Sequence, residues 1–188
     1  MERSVTGWIT CRLAEPHRVE TLRDHLYGWL GAPDPYRRED EPHLSVFGFR
    51  LPADRAAAFE DGAERFADAV GPWEGAVDGY HVWPSTRNPM VVTLDVPYPM
   101  EAVASPLADL LSVHGGRRRW GPTHPHVTLF KGGVPGEELQ WAQVPPEARD
   151  RLDAVAGVEN GYEPPRRLVA PDFDIRLEAP RVVFHGHI

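Results

Sequence analysis

Two stretches of this sequence repeat each other: PHLSVF at residues 42–47 and PHVTLF at residues 125–130. Each supplies an imidazole and, two residues on, a hydroxyl: His43 with Ser45, and His126 with Thr128. Side chains alternate faces along a strand, so each pair shares one face while Leu44 and Val46, or Val127 and Leu129, point the other way. Imidazoles titrate near neutrality, so one can take a proton from a nucleophile while another gives one to a leaving oxygen. Hydroxyls can donate to the non-bridging oxygens of a phosphate without adding charge. Brought together across a groove, the four side chains suit phosphoryl chemistry with no metal and no cofactor.

A lone His-x-Ser on a strand carries little meaning. Two copies agreeing in residue type at six positions are different, because average residue usage puts a chance recurrence at roughly below one in a thousand. Repeated packing accounts for the proline, aliphatic and phenylalanine positions. It does not account for a histidine and a hydroxyl where apolar residues would pack better.

The copies lie nearly half the 188-residue chain apart, which implies two related halves. Residues 4–13 alternate as a strand, and Val19, Leu22, Leu26 and Trp29 have the spacing of a helix that Gly31 would stop. Residues 32–42 are proline-rich and charged, predicting an exposed loop before the first motif strand. A second helix is expected up to Gly71 with Asp54 as N-cap, then strands in WEGAVDGYHVWP and MVVTLDV around a turn-rich STRNP. PMEAVASPLADLLSVHGG reads as a helix that Pro106 either kinks or opens, and RRRWGPTHP as a turn-like approach to the second motif strand. Residues 137–158 read as helical on either side of Pro145-Pro146, with FDIRL and RVVFHGH as closing strands. The result is one α+β unit over residues 1–188, made of two lobes.

Composition narrows the function. A net charge of −8 and a pI near 5.6 argue against broad binding to duplex nucleic acid, though not against a local basic site. No apolar run approaches the roughly 20 residues of a membrane span, and the N-terminus lacks a signal-peptide pattern. A single cysteine, Cys11, fits a reducing cytoplasm, with a monomer as the default.

The residues His43-Leu44-Ser45 and His126-Val127-Thr128 resemble the twin His-x-Thr/Ser signature of the 2H phosphoesterase superfamily, which includes RNA 2',3'-cyclic phosphodiesterases once called 2'-5' RNA ligases. The resemblance implies a bilobal, pseudo-two-fold α+β fold with two antiparallel sheets flanking a central cleft and helices outside. It also implies metal-independent cleavage of a phosphodiester in a nucleotide or short RNA, with His43 as general acid and His126 as general base. Serine in the first motif departs from the commoner threonine. Lys131, the only lysine, matches a basic residue often found three positions after the second hydroxyl, but strict alternation points it away from His126 unless the strand bulges.

Further candidates flank the motifs. Arg119 and Trp120, after Arg117 and Arg118, could bind a phosphate tail and stack a base, and a solvated loop explains them equally well. Tyr36 with Arg37 and Arg38 precedes the first motif in a comparable way. Thr10 and Trp8 share a strand face suited to a cleft floor, while His81 and Trp83 lie on a mid-chain strand. The pairs His124/His126 and His185/His187 raise a metal-dependent hydrolase as a rival, although no carboxylate stands beside them in an obvious ligand pattern. A nucleotide-binding module without turnover is the other rival.

Overall fold

The computed structural model describes residues 3–30, 36–39, 41–83, 91–122, 124–132, 166–168 and 173–187. Its elements run β1 (Ser4–Arg12), α1 (Pro16–Leu30), β2 (Tyr36–Arg38), β3 (His43–Pro52), α2 (Ala56–Val70), β4 (Trp73–Ala76), β5 (Gly79–Trp83), β6 (Val91–Asp95), α3 (Met100–Val113), β7 (Arg117–Trp120), β8 (His126–Gly132), β9 (Arg166–Leu168), β10 (Asp174–Leu177) and β11 (Arg181–His187). Among the described residues the strands make two antiparallel sheets, one of nine strands and a two-stranded β10–β4 pair. The large sheet runs β11-β1-β3-β8-β6-β5-β9 and joins its two halves between β3 and β8 at one residue pair, Leu44 opposite Val127.

Each half is a strand–helix–strand–strand unit: β1-α1-β2-β3 in the first and β6-α3-β7-β8 in the second. The units interlock. Short strand β2 pairs with β8 of the other half, and β7 pairs with β3. Helix α1 likewise packs on β8, whereas α3 packs on β3 and β7. Arg23 of α1, itself buried, donates to the Glu39 carbonyl, and Glu39 donates its backbone N–H to Leu129 O at 2.9 Å. The approach to the first motif is thereby tied to the second.

The core explains the alternation seen in sequence. Leu44, Val46, Val127 and Leu129 are buried to 1% exposure or less, behind the two motif faces. Phe49 stacks edge-on with Phe59 of α2 at 5.2 Å and with Phe184 of β11 at 5.8 Å. Burying each such ring contributes about 1.5–3 kcal/mol. Gly7 is required where β1 passes between β3 and β11: a Cβ there would lie 2.6 Å from both Phe49 Cζ and Val183 O. On α2, Phe59, Ala63 and Ala67 recur at i, i+4 and i+8 and turn one face inward.

Several expectations need correction. Tyr36–Arg38 and Arg117–Trp120 are strands rather than loop or turn, because each finds a motif strand of the other half as a ladder partner. Asp54 does not cap α2: it lies in a 3-10 turn, Ala53–Arg55, and Arg55 occupies the cap without a side-chain hydrogen bond. Pro106 is interior to α3, on its exposed face, where the lost helical hydrogen bond costs no core contact. WEGA separates from GYHVW and joins β10 instead. Gly71 does stop α2, at φ 71°. The STRNP turn, Gly31 and the helical reading of residues 137–158 lie outside the described residues.

Candidate active site

Both motif strands carry a β-bulge at the same place. In β3 the ladder to β1 runs from Ile9–Phe47 to Thr10–Ser45, passing over Val46. In β8 the ladder to β6 runs from Val92–Phe130 to Thr93–Thr128, passing over Leu129. In β3 the extra residue lets Val46 and Phe47 both face the core, while His43 and Ser45 stay on the opposite face. The β3–β8 ladder holds at Leu44–Val127, the residues that directly follow the two histidines, so the seam between the halves runs beside both motif rings.

All four side chains line one cleft of about 840 Å³, together with Trp8, Thr10, Arg12, Trp120, Arg181 and His185. The rings are held alike. His43 Nδ1 lies 2.8 Å from Glu41 O, and His126 Nδ1 lies 3.0 Å from His124 O. A carbonyl only accepts, so Nδ1 of each ring is the donor and Nε2 is the nitrogen that can give or take a proton.

The surroundings of the two rings differ. Arg12 sits opposite His43 in the ladder, whereas Asp95 sits opposite His126. Asp95 is buried, and its Oδ1 lies 3.6 Å from His124 Nε2. The carboxylate that sequence did not reveal beside the histidines thus comes from β6. Arg12 and Arg181 were also missed, although strand alternation could have found them: Trp8, Thr10 and Arg12 on β1, and Arg181, Val183 and His185 on β11, all line the cleft.

Of the other sequence candidates, Trp120 is 56% exposed at the cleft and meets Trp8 edge-on at 5.5 Å. Arg119 is the residue passed over in the β3–β7 ladder, exposed and away from the cleft walls, so it is not brought to the site. Arg118 covers the Phe47 ring at 4.8 Å. Tyr36 and Arg38 have backbone positions opposite Gly132 and Phe130, and Lys131 lies opposite Arg37; their side chains, like those of His81, Trp83 and His187, are outside the described residues. The bulge falls ahead of Lys131, so simple alternation does not carry from His126 to it. Cys11 is buried against Tyr98, donating to its hydroxyl at 3.4 Å, and burial pushes the thiol up to about 11. It is no nucleophile at neutral pH. Among the described residues no three His, Cys, Asp or Glu side chains converge as metal ligands, and no helix is long and apolar enough to cross a membrane.

Residues 11–159 match the family model of the 2'-5' RNA ligase superfamily. The chain belongs to this superfamily, that of the 2H phosphoesterases. The fold of this 2H phosphoesterase is similar to that of the MHV ns2 PDE domain (16% identity, TM-score 0.56, covering 97% of this chain and 99% of that one). It is also similar to E. coli LigT in apo form (16% identity, TM-score 0.52, covering 100% and 98%) and complexed with 3'-AMP (15% identity, TM-score 0.51, covering 100% and 97%). No curated protein is similar enough in sequence to count as a relative.

Proposed function

We propose that this 2H phosphoesterase is a metal-independent phosphodiesterase that hydrolyses a 2',3'-cyclic phosphate, or a 2'-5' or 3'-5' linkage, in a nucleotide or short oligonucleotide. The observation that carries the reading is the pair of imidazoles, each with Nδ1 committed to a backbone carbonyl, lining one cleft beside Ser45 and Thr128. In this scheme water attacks phosphorus in line. Nε2 of one histidine takes the water proton, and Nε2–H of the other protonates the departing ribose oxygen. Following the family resemblance, His126 is the base and His43 the acid. Ser45 and Thr128 donate to the non-bridging oxygens as negative charge builds on them. The two rings finish with exchanged protonation states, and solvent resets them.

Trp120, exposed at the cleft edge against Trp8, offers a face for base stacking. The rim also carries Glu20, Glu39, Glu41 and Glu178, which together with the −8 net charge favour a short substrate over a long polyanion. The lone cysteine is compatible with a cytoplasmic enzyme. The test is a panel of 2',3'-cyclic nucleotides, 2'-5' oligoadenylates and cyclic dinucleotides assayed with and without EDTA. The expected result is EDTA-resistant turnover of at least one class with a bell-shaped pH profile. Unchanged turnover in His126→Ala would overturn the reading.

A further inference from the structure

The proposed chemistry uses two histidines and two hydroxyls, yet the cleft holds two guanidinium groups that this chemistry does not employ. Thr10 stands between Ser45 and Arg181 in the ladder, so one cross-strand row runs Ser45, Thr10, Arg181 over β3, β1 and β11. Arg12 lies on the same face of β1, opposite His43. Arg181 is therefore two strand spacings, about 10 Å, from the Ser45 backbone. Arg12 lies one strand nearer the motif.

Three features mark this pair as a built anion site. Arg181 Nε is buried without a hydrogen-bond partner, so a donor is held out of water with nothing to receive it. Arg12 is close enough that its charge opposes that of Arg181, which burial opposes more strongly still. Glu178 and Glu41 act weakly in the other direction. Among the described residues, however, no carboxylate closes an ion pair with either guanidinium. Two like charges in one cleft, neither held in an ion pair among the described residues, favour an anion between them, and paired guanidinium forks match phosphate geometry.

We infer that Arg12 and Arg181 form a second phosphate subsite, selecting substrates that carry another phosphoryl group about one nucleotide unit from the scissile phosphodiester. This deepens the phosphodiesterase reading and rests on it. The second phosphoryl group is either a terminal phosphomonoester or the next internucleotide phosphate. A lone 2',3'-cyclic mononucleotide leaves the subsite unfilled.

The experiment compares kcat/KM for 2',3'-cyclic AMP, the same nucleotide bearing a 5'-phosphate, and a dinucleotide ending in a 2',3'-cyclic phosphate, with 2'-5' diadenylate with and without a 5'-phosphate as a parallel pair. The expected result is at least a tenfold preference for substrates with the added phosphoryl group. Preference for the 5'-phosphate identifies a monoester, and preference for the dinucleotide alone identifies an internucleotide diester. In Arg181→Gln, and in Arg12→Gln where the replaced side chain is exposed and folding is not at issue, the preference ratio falls toward one. Equal use of both members of each pair by the wild type, or a ratio that survives both substitutions, overturns the inference. Equilibrium binding of the same pairs to His43→Ala protein reads the subsite without turnover. Tenfold tighter binding of the phosphorylated member, together with no turnover of any of these substrates by the wild-type protein, would leave the subsite standing and sink the phosphodiesterase reading.

Discussion

Motif strands β3 and β8 hold their histidines by the same bond, Nδ1 to the carbonyl two residues upstream, and carry their bulges at the same position. The neighbouring strands are not alike. The ladder position opposite His43 is the exposed Arg12; the position opposite His126 is the buried Asp95, which engages His124. The halves thus agree wherever geometry must present a ring to the cleft and diverge in the charge placed beside it. The likeness of the halves supplies two rings held in the same way, and the flanking residues are where the two can become unequal.

The largest effect that would test this likeness is removal of either ring. His43→Ala and His126→Ala should each lower kcat by about 10²–10⁴-fold, measured by product formation on whichever substrate the panel identifies. A large loss in only one of them would mean that the halves share a shape and not a task. Next come the hydroxyls. Ser45→Ala and Thr128→Val should each cost about 10²-fold in kcat with little change in KM, while Ser45→Thr, which brings the first motif to the second's hydroxyl type, should remain active.

A smaller loss is expected from the feature that distinguishes the halves. Asp95→Asn changes the buried carboxyl group that lies 3.6 Å from Nε2 of His124, whose carbonyl receives His126 Nδ1–H, and kcat should fall about tenfold. Glu41→Gln, at the first-half position that matches His124, leaves the carbonyl in place and breaks no ion pair among the described residues, so kcat should change less than twofold. Comparable losses in both would erase the proposed asymmetry.

The seam between the halves offers a stability test. Leu44 and Val127 are fully buried at the one residue pair joining β3 to β8, and Leu44→Ala should cost about 2–5 kcal/mol in urea unfolding, lowering the midpoint for both halves in one transition. The mildest effect concerns Cys11. Burial raises its thiol pKa from 9.0 to about 11, so the folded protein disfavours the thiolate and loses stability as pH rises from about 9 toward 11. Iodoacetamide at pH 8 should label Cys11 only after unfolding, as mass spectrometry would read directly.

What could be read in advance followed from local periodicity. PHLSVF and PHVTLF announce both the strands and the face that carries the chemistry, and the amphipathic spacing of α1, α2 and α3 was visible because one face of each helix is apolar. The short strands β2 and β7 were illegible. YRR and RRRW carry no strand period of their own and are extended only because a remote motif strand supplies their hydrogen bonds. Asp95 escaped for a related reason: it ends a strand far from His124 in sequence, and only the β6–β8 register brings them together. Arg181 was hidden in RVVFHGH, where the histidines drew attention to metal binding although alternation already put Arg181 and His185 on one face.

The interlock of the two units bears on how this chain comes into being. As the first half leaves the ribosome, β3 has β1 on one side and an uncovered edge on the other, because β7 and β8 are not yet made. Helix α1 emerges with its docking strand still inside the ribosome. Such an edge invites wrong partners for as long as it waits. Completion of the candidate groove and closure of that edge both wait for β7 and β8, so a nascent chain truncated before them would lack the second motif and be prone to clump.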